Sequence, residues 1–170
     1  MDPFATLGIP RSYDVDLAVI EKTHRELSRA LHPDRHVGAM ASERREALAR
    51  AIEVNEAWRI LRDPIRRAEA LLRLSGVGVG EESEPKAAPE FLMDMLDQRE
   101  ELSRAMAARD SATVRGLAEG VRARALEAER ALSRGFAQGE TSSLLQRLGE
   151  LRFYRRFLDE VGAIEDERTT

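Results

Sequence analysis

The sequence predicts an all-α protein built from two units. Alanine, leucine, arginine and glutamate dominate its 170 residues and aromatic residues make up only 5%, a composition that favours helices over sheets. Along several stretches apolar residues recur at helical spacing, and proline or glycine separates these stretches. We therefore expect a helical hairpin unit at 1–76, a linker at 77–87 and a three-helix bundle at 88–170.

The first unit is organised around the tripeptide His32-Pro33-Asp34. A short helix at 3–7 comes first, and a second helix starts after Asp14 or Asp16, either of which can cap it. The second helix must end before the tripeptide, because the residue preceding a proline leaves the α region and proline has no N–H to continue the helix. We expect the histidine and the aspartate to lie exposed on a tight turn.

A basic stripe runs along the second helix. Four residues form the apolar side of this helix: Leu17, Ile20, Leu27 and Leu31. Three cationic residues lie to one side of them: Lys22, Arg25 and Arg29. Charges at this spacing usually form a solvated face, and a docking surface for an acidic partner is the alternative.

A third helix, predicted at 43–61, follows the turn and packs back against the second. Six residues are expected on its packing side: Leu48, Ala51, Ile52, Asn55, Trp58 and Leu61. Asp63-Pro64 then starts a fourth helix, since aspartate is a preferred cap and proline suits the first helical position. The fourth helix ends at Ser75-Gly76, and its apolar side consists of Ile65, Ala68, Leu71 and Leu72.

Three longer periodic segments follow the linker, at 89–109, 111–136 and 141–164. The first is predicted to turn four residues inward: Phe91, Met95, Leu102 and Met106. The second, capped by Asp110, uses Val114, Leu117, Val121, Ala125, Ala128 and Leu132. The third uses Leu144, Leu148, Leu151 and Leu158. Short connections between long helices favour antiparallel neighbours, which predicts a three-helix bundle.

The first helix of this bundle has apolar residues beyond those that a three-helix bundle can bury. Five residues form an arc outside its inward face: Leu92, Met93, Leu96, Asp97 and Glu100. In the last helix Phe153, next to Arg152, is predicted nearly opposite the inward face. An exposed apolar patch with a charged rim is typical of a partner site. Packing of the same arc against the first unit is the alternative.

The tripeptide, placed between a basic helix and a long partner helix, resembles the J-domain family. These co-chaperones stimulate ATP hydrolysis by chaperones of the DnaK class. The resemblance implies that seven residues bind the chaperone: His32, Pro33, Asp34, Lys22, Arg25, Arg29 and Arg35. Leu31 stands where the family frequently has tyrosine and Arg35 where it frequently has lysine, and both replacements keep the general character of the position.

A narrower resemblance covers almost the whole chain. The segments FLMDMLDQREEL at 91–102, LRF at 151–153 and NEAW at 55–58 are similar to HscB-type iron–sulfur co-chaperones. The resemblance implies an L-shaped molecule whose bundle binds an IscU-type cluster scaffold through seven residues: Leu92, Met93, Leu96, Asp97, Glu100, Arg152 and Phe153. Asp97 stands where glutamate is common, which keeps the charge and shortens its reach.

Composition excludes several classes of function. The absence of cysteine excludes disulfides and thiolate metal sites. The net charge of -4 is mild, whereas nucleic-acid binding needs a concentrated cationic face. No apolar run reaches the length of a membrane span, and the first residues lack the features of a signal peptide. We expect a monomer in the cytoplasm that binds neither nucleic acid nor membranes.

Neither a catalytic group nor a cofactor site is expected. His32, Asp34 and His36 are interrupted by Pro33 and lack further ligands to complete a metal shell. His24 is interpreted as a helix-face residue. The chain has no glycine-flanked nucleophilic serine and no phosphate-binding glycine loop between a strand and a helix. We predict no enzymatic activity, no cofactor and no metal.

The resemblance to HscB-type co-chaperones therefore implies an adaptor that presents a cluster scaffold to an HscA/DnaK-type chaperone and triggers its ATPase. One alternative is a J-domain co-chaperone that serves a different client. Another is a helical homo-oligomerising protein in which the apolar arc forms a dimer interface and the tripeptide is coincidental. A metal-dependent enzyme is the weakest alternative.

Overall fold

The computed structural model describes residues 1–80, 85–140 and 143–167 and contains only helices and their connections within these ranges. The chain folds into two compact units, Met1–Gly78 and Val79–Thr170. The first unit contains α1 (Pro3–Leu7), α2 (Leu17–Ala30), a 3-10 helix (Pro33–His36), α3 (Ala41–Arg62) and α4 (Pro64–Leu74). The second contains α5 (Pro89–Ala107), α6 (Ser111–Gln138) and α7 (Leu144–Glu167). The predicted all-α class is confirmed.

Part of the predicted linker and part of the last predicted segment lie outside the described residues. These parts are residues 81–84 and residues 141–142. The described residues of the linker, 77–80 and 85–87, lie outside the helices. Helix α7 continues to Glu167, three residues beyond the predicted end at 164.

Aspartate caps begin four of the helices. The Oδ1 atoms of Asp16, Asp63 and Asp110 each accept hydrogen bonds from two backbone N–H groups at the start of α2, α4 and α6, respectively. These caps satisfy donors that have no partner inside the helix. All three caps agree with the sequence prediction, and Asp2 caps α1 in the same way.

The core of the first unit lies where α1, α2 and α4 pack around α3. Its fully buried side chains include Phe4, Ile20, Val54, Leu61 and Leu72, each at most 1% exposed. Burial of such apolar side chains is the main source of stability for a unit of this size.

The predicted packing side of α3 is partly wrong. Leu48 and Ile52 are 56% and 61% exposed. The buried side consists of Leu61, as predicted, together with Ala47, Val54 and Ala57, which were not predicted. The true face lies about one residue (about 100°) around the helix, and small alanine side chains on it let α1 and α2 approach closely. Leu17, in the first turn of α2, is likewise 53% exposed rather than buried.

Helix α4 buries a charged residue that the apolar pattern did not predict. Arg67 is 9% exposed, and its Nη1 donates a hydrogen bond to the Leu61 carbonyl oxygen over 2.6 Å. Its guanidinium lies 5.0 Å from the centroid of the Tyr13 ring. The hydrogen bond and the aromatic face offset part of the cost of burying the charge, while the buried Nε atom of Arg67 has no hydrogen-bond partner among the described residues. Ile65, predicted on the apolar side, is only half-buried.

In the second unit, α6 and α7 form the main packed pair, and α5 lies against them. The predicted inward residues Leu144, Leu148 and Leu151 are buried, at 1%, 0% and 2% exposed, whereas Leu158 is only half-buried. Three other residues of α7 complete the core: Tyr154, Phe157 and Val161. The buried face turns around α7 because the second half of this helix also meets α5, as the contact between the Tyr154 and Phe91 rings shows.

Candidate functional site

The tripeptide His32-Pro33-Asp34, here called the apex, lies exposed between α2 and α3. Helix α2 ends at Ala30, and a 3-10 helix begins at Pro33. His32 has φ −63° and ψ 134°, the extended conformation that a residue before proline prefers. The proline therefore fixes the break in the helix, as the sequence predicts.

Local hydrogen bonds order the apex. The backbone N–H of Asp34 donates to Nδ1 of His32 over 3.3 Å, and the backbone N–H of Arg35 donates to the His32 carbonyl oxygen over 3.0 Å. Nε2 of His36 lies 3.2 Å from the Ala30 carbonyl oxygen, which links the 3-10 helix to the end of α2. The Asp34 side chain remains 87% exposed. A carboxylate on an ordered turn is thus presented to solvent.

The basic stripe is exposed and continuous with the apex. Its members Lys22, Arg25 and Arg29 are all exposed on α2. The Lys22 Nζ atom lies 4.0 Å from Oε1 of Glu26, and an exposed pair at this distance holds the side chain only weakly. A shallow depression of about 410 Å³ lies between α2 and the apex, lined by Ser28, Arg29, His32 and Arg35. This depression joins the stripe to the apex.

The arc on α5 is exposed as predicted. Leu92, Met93 and Leu96 are 42%, 67% and 58% exposed, and Asp97 and Glu100 are exposed beside them. The opposite side of α5 buries Met95 and Leu102 in the bundle. The arc therefore lies outside the buried core of its own unit, and it offers apolar side chains next to carboxylates.

Two partly exposed ion pairs join α5 to its neighbouring helices on either side of the arc. Asp94 pairs with Arg124 of α6, and Nη2 of Arg99 lies 3.4 Å from Oε2 of Glu160 on α7. At 100° per residue, Asp94 and Arg99 lie on opposite flanks of the arc. Each flank is thus tied to a different neighbouring helix.

Phe153, predicted nearly opposite the inward leucines of α7, is half-buried. Its ring meets the Phe91 ring edge-on, with centroids 5.5 Å apart, and the Arg156 guanidinium lies 4.5 Å from its centroid. Since Phe91 directly precedes Leu92, these contacts bring Phe153 to the beginning of the arc. Arg152 is also half-buried.

Three residues at these surfaces are not predicted by the sequence pattern: Ser28, Phe91 and Arg156. Apolar spacing assigns Phe91 to the core only, although an aromatic residue in the first turn of a helix can serve both the core and the surface. The clustering of aromatic residues at 153, 154 and 157 is the signal that could have indicated an aromatic contact there. Ser28 and Arg156 give no comparable signal in the sequence.

The described residues contain neither a group of side chains that could bind a metal ion nor a helix that could span a membrane. Among them, no three His, Asp or Glu side chains are grouped in a way that could hold a metal ion. None of the described helices combines the length and the apolar character needed to cross a bilayer. Asp34 with its basic surroundings and the apolar arc on α5 are exposed groupings whose chemistry suits protein partners.

Comparison with known families agrees with this geometry. A family model for the DnaJ domain matches residues 2–70. A second, described as the HSCB C-terminal oligomerisation domain, matches residues 87–162. The chain belongs to the HscB family of co-chaperones. The DnaJ domain implies an Hsp70-type chaperone as partner.

Relatives named as co-chaperone protein HscB homologs match most of the chain. One from Neisseria meningitidis serogroup C is 30% identical over 160 residues, covering 94% of this chain and 96% of the relative. One from Vibrio cholerae is 30% identical over 168 residues, covering 98% of each. One from Ralstonia nicotianae is 42% identical over 107 residues, which span 63% of this chain and 61% of the relative.

Solved HscB structures share the fold. The structure titled chaperone HscB from Vibrio cholerae superposes with a TM-score of 0.89 at 30% identity, covering 98% of this chain and 99% of that one. The human co-chaperone protein HscB superposes with the same TM-score of 0.89 at 23% identity, covering 97% of this chain and 82% of the human chain. At that identity the human structure supports the fold alone.

Proposed function

We propose that this HscB-family chain acts in the cytoplasm as an adaptor in iron–sulfur cluster biogenesis. It binds an IscU-type scaffold through the second unit and delivers it to an HscA/DnaK-type chaperone through the first. Contact with the first unit stimulates ATP hydrolysis by the chaperone. The observation that carries this proposal is the ordered, exposed apex, whose carboxylate is continuous with a basic stripe on α2.

Seven residues would bind the chaperone: His32, Pro33, Asp34, Lys22, Arg25, Arg29 and Arg35. The cationic side chains complement an acidic surface and speed encounter with it. The Asp34 carboxylate makes contacts that are stronger in one state of the chaperone than in another, and only such a difference can shift its conformational equilibrium. His32 holds the Asp34 backbone through the 3.3 Å hydrogen bond, and Pro33 fixes the turn.

Seven residues would bind the scaffold: Leu92, Met93, Leu96, Asp97, Glu100, Arg152 and Phe153. The apolar members supply the buried centre of the contact, and the charged members form a rim that sets orientation. Because Met95 and Leu102 on the opposite side of α5 are buried in the bundle, the helix is ordered before binding, which lowers the entropic cost of association.

The proposal is tested by measuring steady-state ATP hydrolysis by an HscA/DnaK-type chaperone alone, with the chain, with an IscU-type scaffold and with both. We expect the chain to raise the rate, and the chain with scaffold to raise it further. A chain that leaves the rate unchanged in every mixture contradicts the proposed function. Stimulation together with no capture of the scaffold in a pull-down would favour a co-chaperone for a different client.

Self-association is a second candidate function for the arc. The family model that matches residues 87–162 is described as an oligomerisation domain, and the arc exposes three large apolar side chains. We propose that the chain is a monomer whose arc is reserved for the scaffold. Light scattering of the pure chain distinguishes scaffold binding from self-association as the role of the arc. If the wild type is a dimer and the double variant Leu92→Ala with Leu96→Ala is a monomer, the arc serves self-association.

A further inference from the structure

The five methionines of this cysteine-free chain differ sharply in their exposure. Met93 is 67% exposed, whereas Met95, two residues further along α5, is 4% exposed. Positions two apart on a helix lie about 200° around its axis. One helix thus holds one thioether in solvent and another in the core of the bundle.

Met93 lies inside the arc rather than at its edge. At 100° per residue it falls between the apolar pair Leu92 and Leu96 on one side and Asp97 on the other. Leu96, three residues further along, is itself 58% exposed. A partner that covers the leucines and reaches the carboxylates must therefore also cover the Met93 thioether.

We propose that Met93 is an oxidation site at which a peroxide switches off capture of the scaffold. This inference rests on the proposed function of the arc. The Met93 sulfur attacks one oxygen of hydrogen peroxide, the O–O bond breaks, and the sulfur–oxygen bond of the sulfoxide forms as water leaves. Sulfur is oxidised by two electrons and the peroxide is reduced, so no further reactant is required.

The sulfoxide weakens binding because of the groups that surround it. A thioether is flexible and apolar and can fill irregular gaps in an interface, whereas a sulfoxide adds a polar oxygen that accepts hydrogen bonds. Its neighbours Asp97 and Glu100 offer carboxylates, which when ionised also only accept. Covering the surface would leave the new acceptor without a donor from α5. Burying an unsatisfied acceptor is costly, and we expect affinity to fall about tenfold or more.

Selectivity follows from the burial of Met95. A peroxide reaches the exposed Met93 directly, but it reaches the Met95 sulfur only when the bundle opens. Oxidation under conditions that preserve the fold should therefore modify Met93 and leave Met95 intact. Met40, 68% exposed at the start of α3, provides a matched methionine in the other unit.

The experiment treats the full chain with hydrogen peroxide, maps oxidised methionines by mass spectrometry, and measures affinity for an IscU-type scaffold by titration calorimetry. The variants are Met93→Leu, which keeps an apolar side chain without sulfur, and Met40→Leu as the control. We expect the wild type and Met40→Leu to lose affinity about tenfold or more, and methionine sulfoxide reductase to restore it. Met93→Leu should show the same affinity before and after treatment, whatever its starting affinity.

Three results would overturn the inference. The wild type could be oxidised at Met93 with unchanged affinity. Met93→Leu could lose affinity after treatment as much as the wild type does. Loss of affinity could also coincide with oxidation of Met95 and loss of the helical circular dichroism signal, which would show general damage to the bundle. In each of these cases the untreated chain still binds the scaffold, whereas an untreated wild type that does not bind overturns the proposed function of the arc as well.

Discussion

The imidazole of His24 on α2 stacks on the indole of Trp58 on α3, with ring centroids 4.6 Å apart and planes inclined by 14°. Nε2 of His24 also lies 2.8 Å from Oδ1 of Asn55, one turn earlier on α3. The Arg62 guanidinium lies 4.2 Å from the centroid of the indole ring. The two contacts of His24 join the helices that lead to and from the apex, so they hold the hairpin on which the apex depends.

Replacing His24 by alanine should destabilise the hairpin. The change removes an aromatic stack and a hydrogen bond, and we expect the free energy of unfolding to fall by about 1–2 kcal/mol. Urea unfolding monitored by fluorescence of Trp58, the chain's one tryptophan, measures the loss. Glu21→Ala, at an exposed position of the same helix, serves as control, and an equal effect of the two changes would contradict a special role for the stack.

Two glycines of α6 should respond to alanine in opposite directions. A Cβ atom on Gly135 would clash with Cδ2 of Leu144, whereas a Cβ atom on Gly120 would meet no atom within 4 Å. Leu144 is 1% exposed and cannot move aside easily. Overpacking at Gly135 costs about 1–3 kcal/mol, which outweighs the gain of about 0.5–1 kcal/mol that alanine brings to a helix interior.

Thermal unfolding followed by circular dichroism checks both variants. Gly120→Ala should raise the melting temperature, and Gly135→Ala should lower it. If Gly135→Ala stabilised the chain as much as Gly120→Ala does, the close approach between the end of α6 and the start of α7 would be refuted.

Tyr154 should make the bundle sensitive to alkaline pH. Burial raises the pKa of the Tyr154 phenol above the ordinary value of 10.0, and the Glu150 carboxylate raises it further. The folded state therefore favours the neutral phenol more than the unfolded state does. This contribution to stability is fully present below pH 10.0, and it is lost as the pH rises through the higher pKa of the folded state.

The comparison of wild type with Tyr154→Phe isolates this effect. Below about pH 9 the difference in unfolding free energy between the two proteins should be constant, because tyrosine is then neutral in both states. Above pH 10.0 the wild type should lose stability relative to the variant. Chemical denaturation at a series of pH values measures the difference, and a difference that stays constant to about pH 11 would speak against burial of the phenol.

The beginnings of the helices could be predicted from the sequence because capping is local. Asp16, Asp63 and Asp110 each reach N–H groups two and three residues further on, so the relevant partners are neighbours in the chain. The break at Pro33 was predictable for the same reason, since it follows from the covalent structure of proline.

The rotation of α3 could not be predicted from apolar periodicity. Leu48 and Ile52 lie next to the buried face of α3. They are larger than Ala47 and Ala57, so a pattern that weighs side-chain size selects the wrong face of the helix. Which face of α3 is buried depends on how closely α1 and α2 approach it, and this is a property of the tertiary structure. The exposed arc on α5 was predictable because the second unit has more large apolar residues than three helices can bury. The spacing of these residues alone left packing of the arc against the first unit as an alternative.

The arc on α5 should bind the scaffold through its leucines. Leu92→Ala with Leu96→Ala removes apolar area from the centre of the surface, and we expect scaffold affinity to fall about tenfold or more. Titration calorimetry measures the change. Leu126→Ala, at a 50% exposed leucine of α6 outside the arc, is the matched control. Equal affinities for the double variant and the control would exclude the arc, and stimulation of the chaperone without scaffold should be the same for both.

The central claim is that the Asp34 carboxylate triggers the chaperone, and the rate of ATP hydrolysis by an HscA/DnaK-type chaperone in the presence of Asp34→Asn tests it most directly. Asp159→Asn, another exposed aspartate, is the control. The account predicts that Asp34→Asn abolishes stimulation but retains the helical circular dichroism signal and the scaffold affinity of the wild type. Asp159→Asn should stimulate hydrolysis as the wild type does. Stimulation by Asp34→Asn at the wild-type level would contradict it.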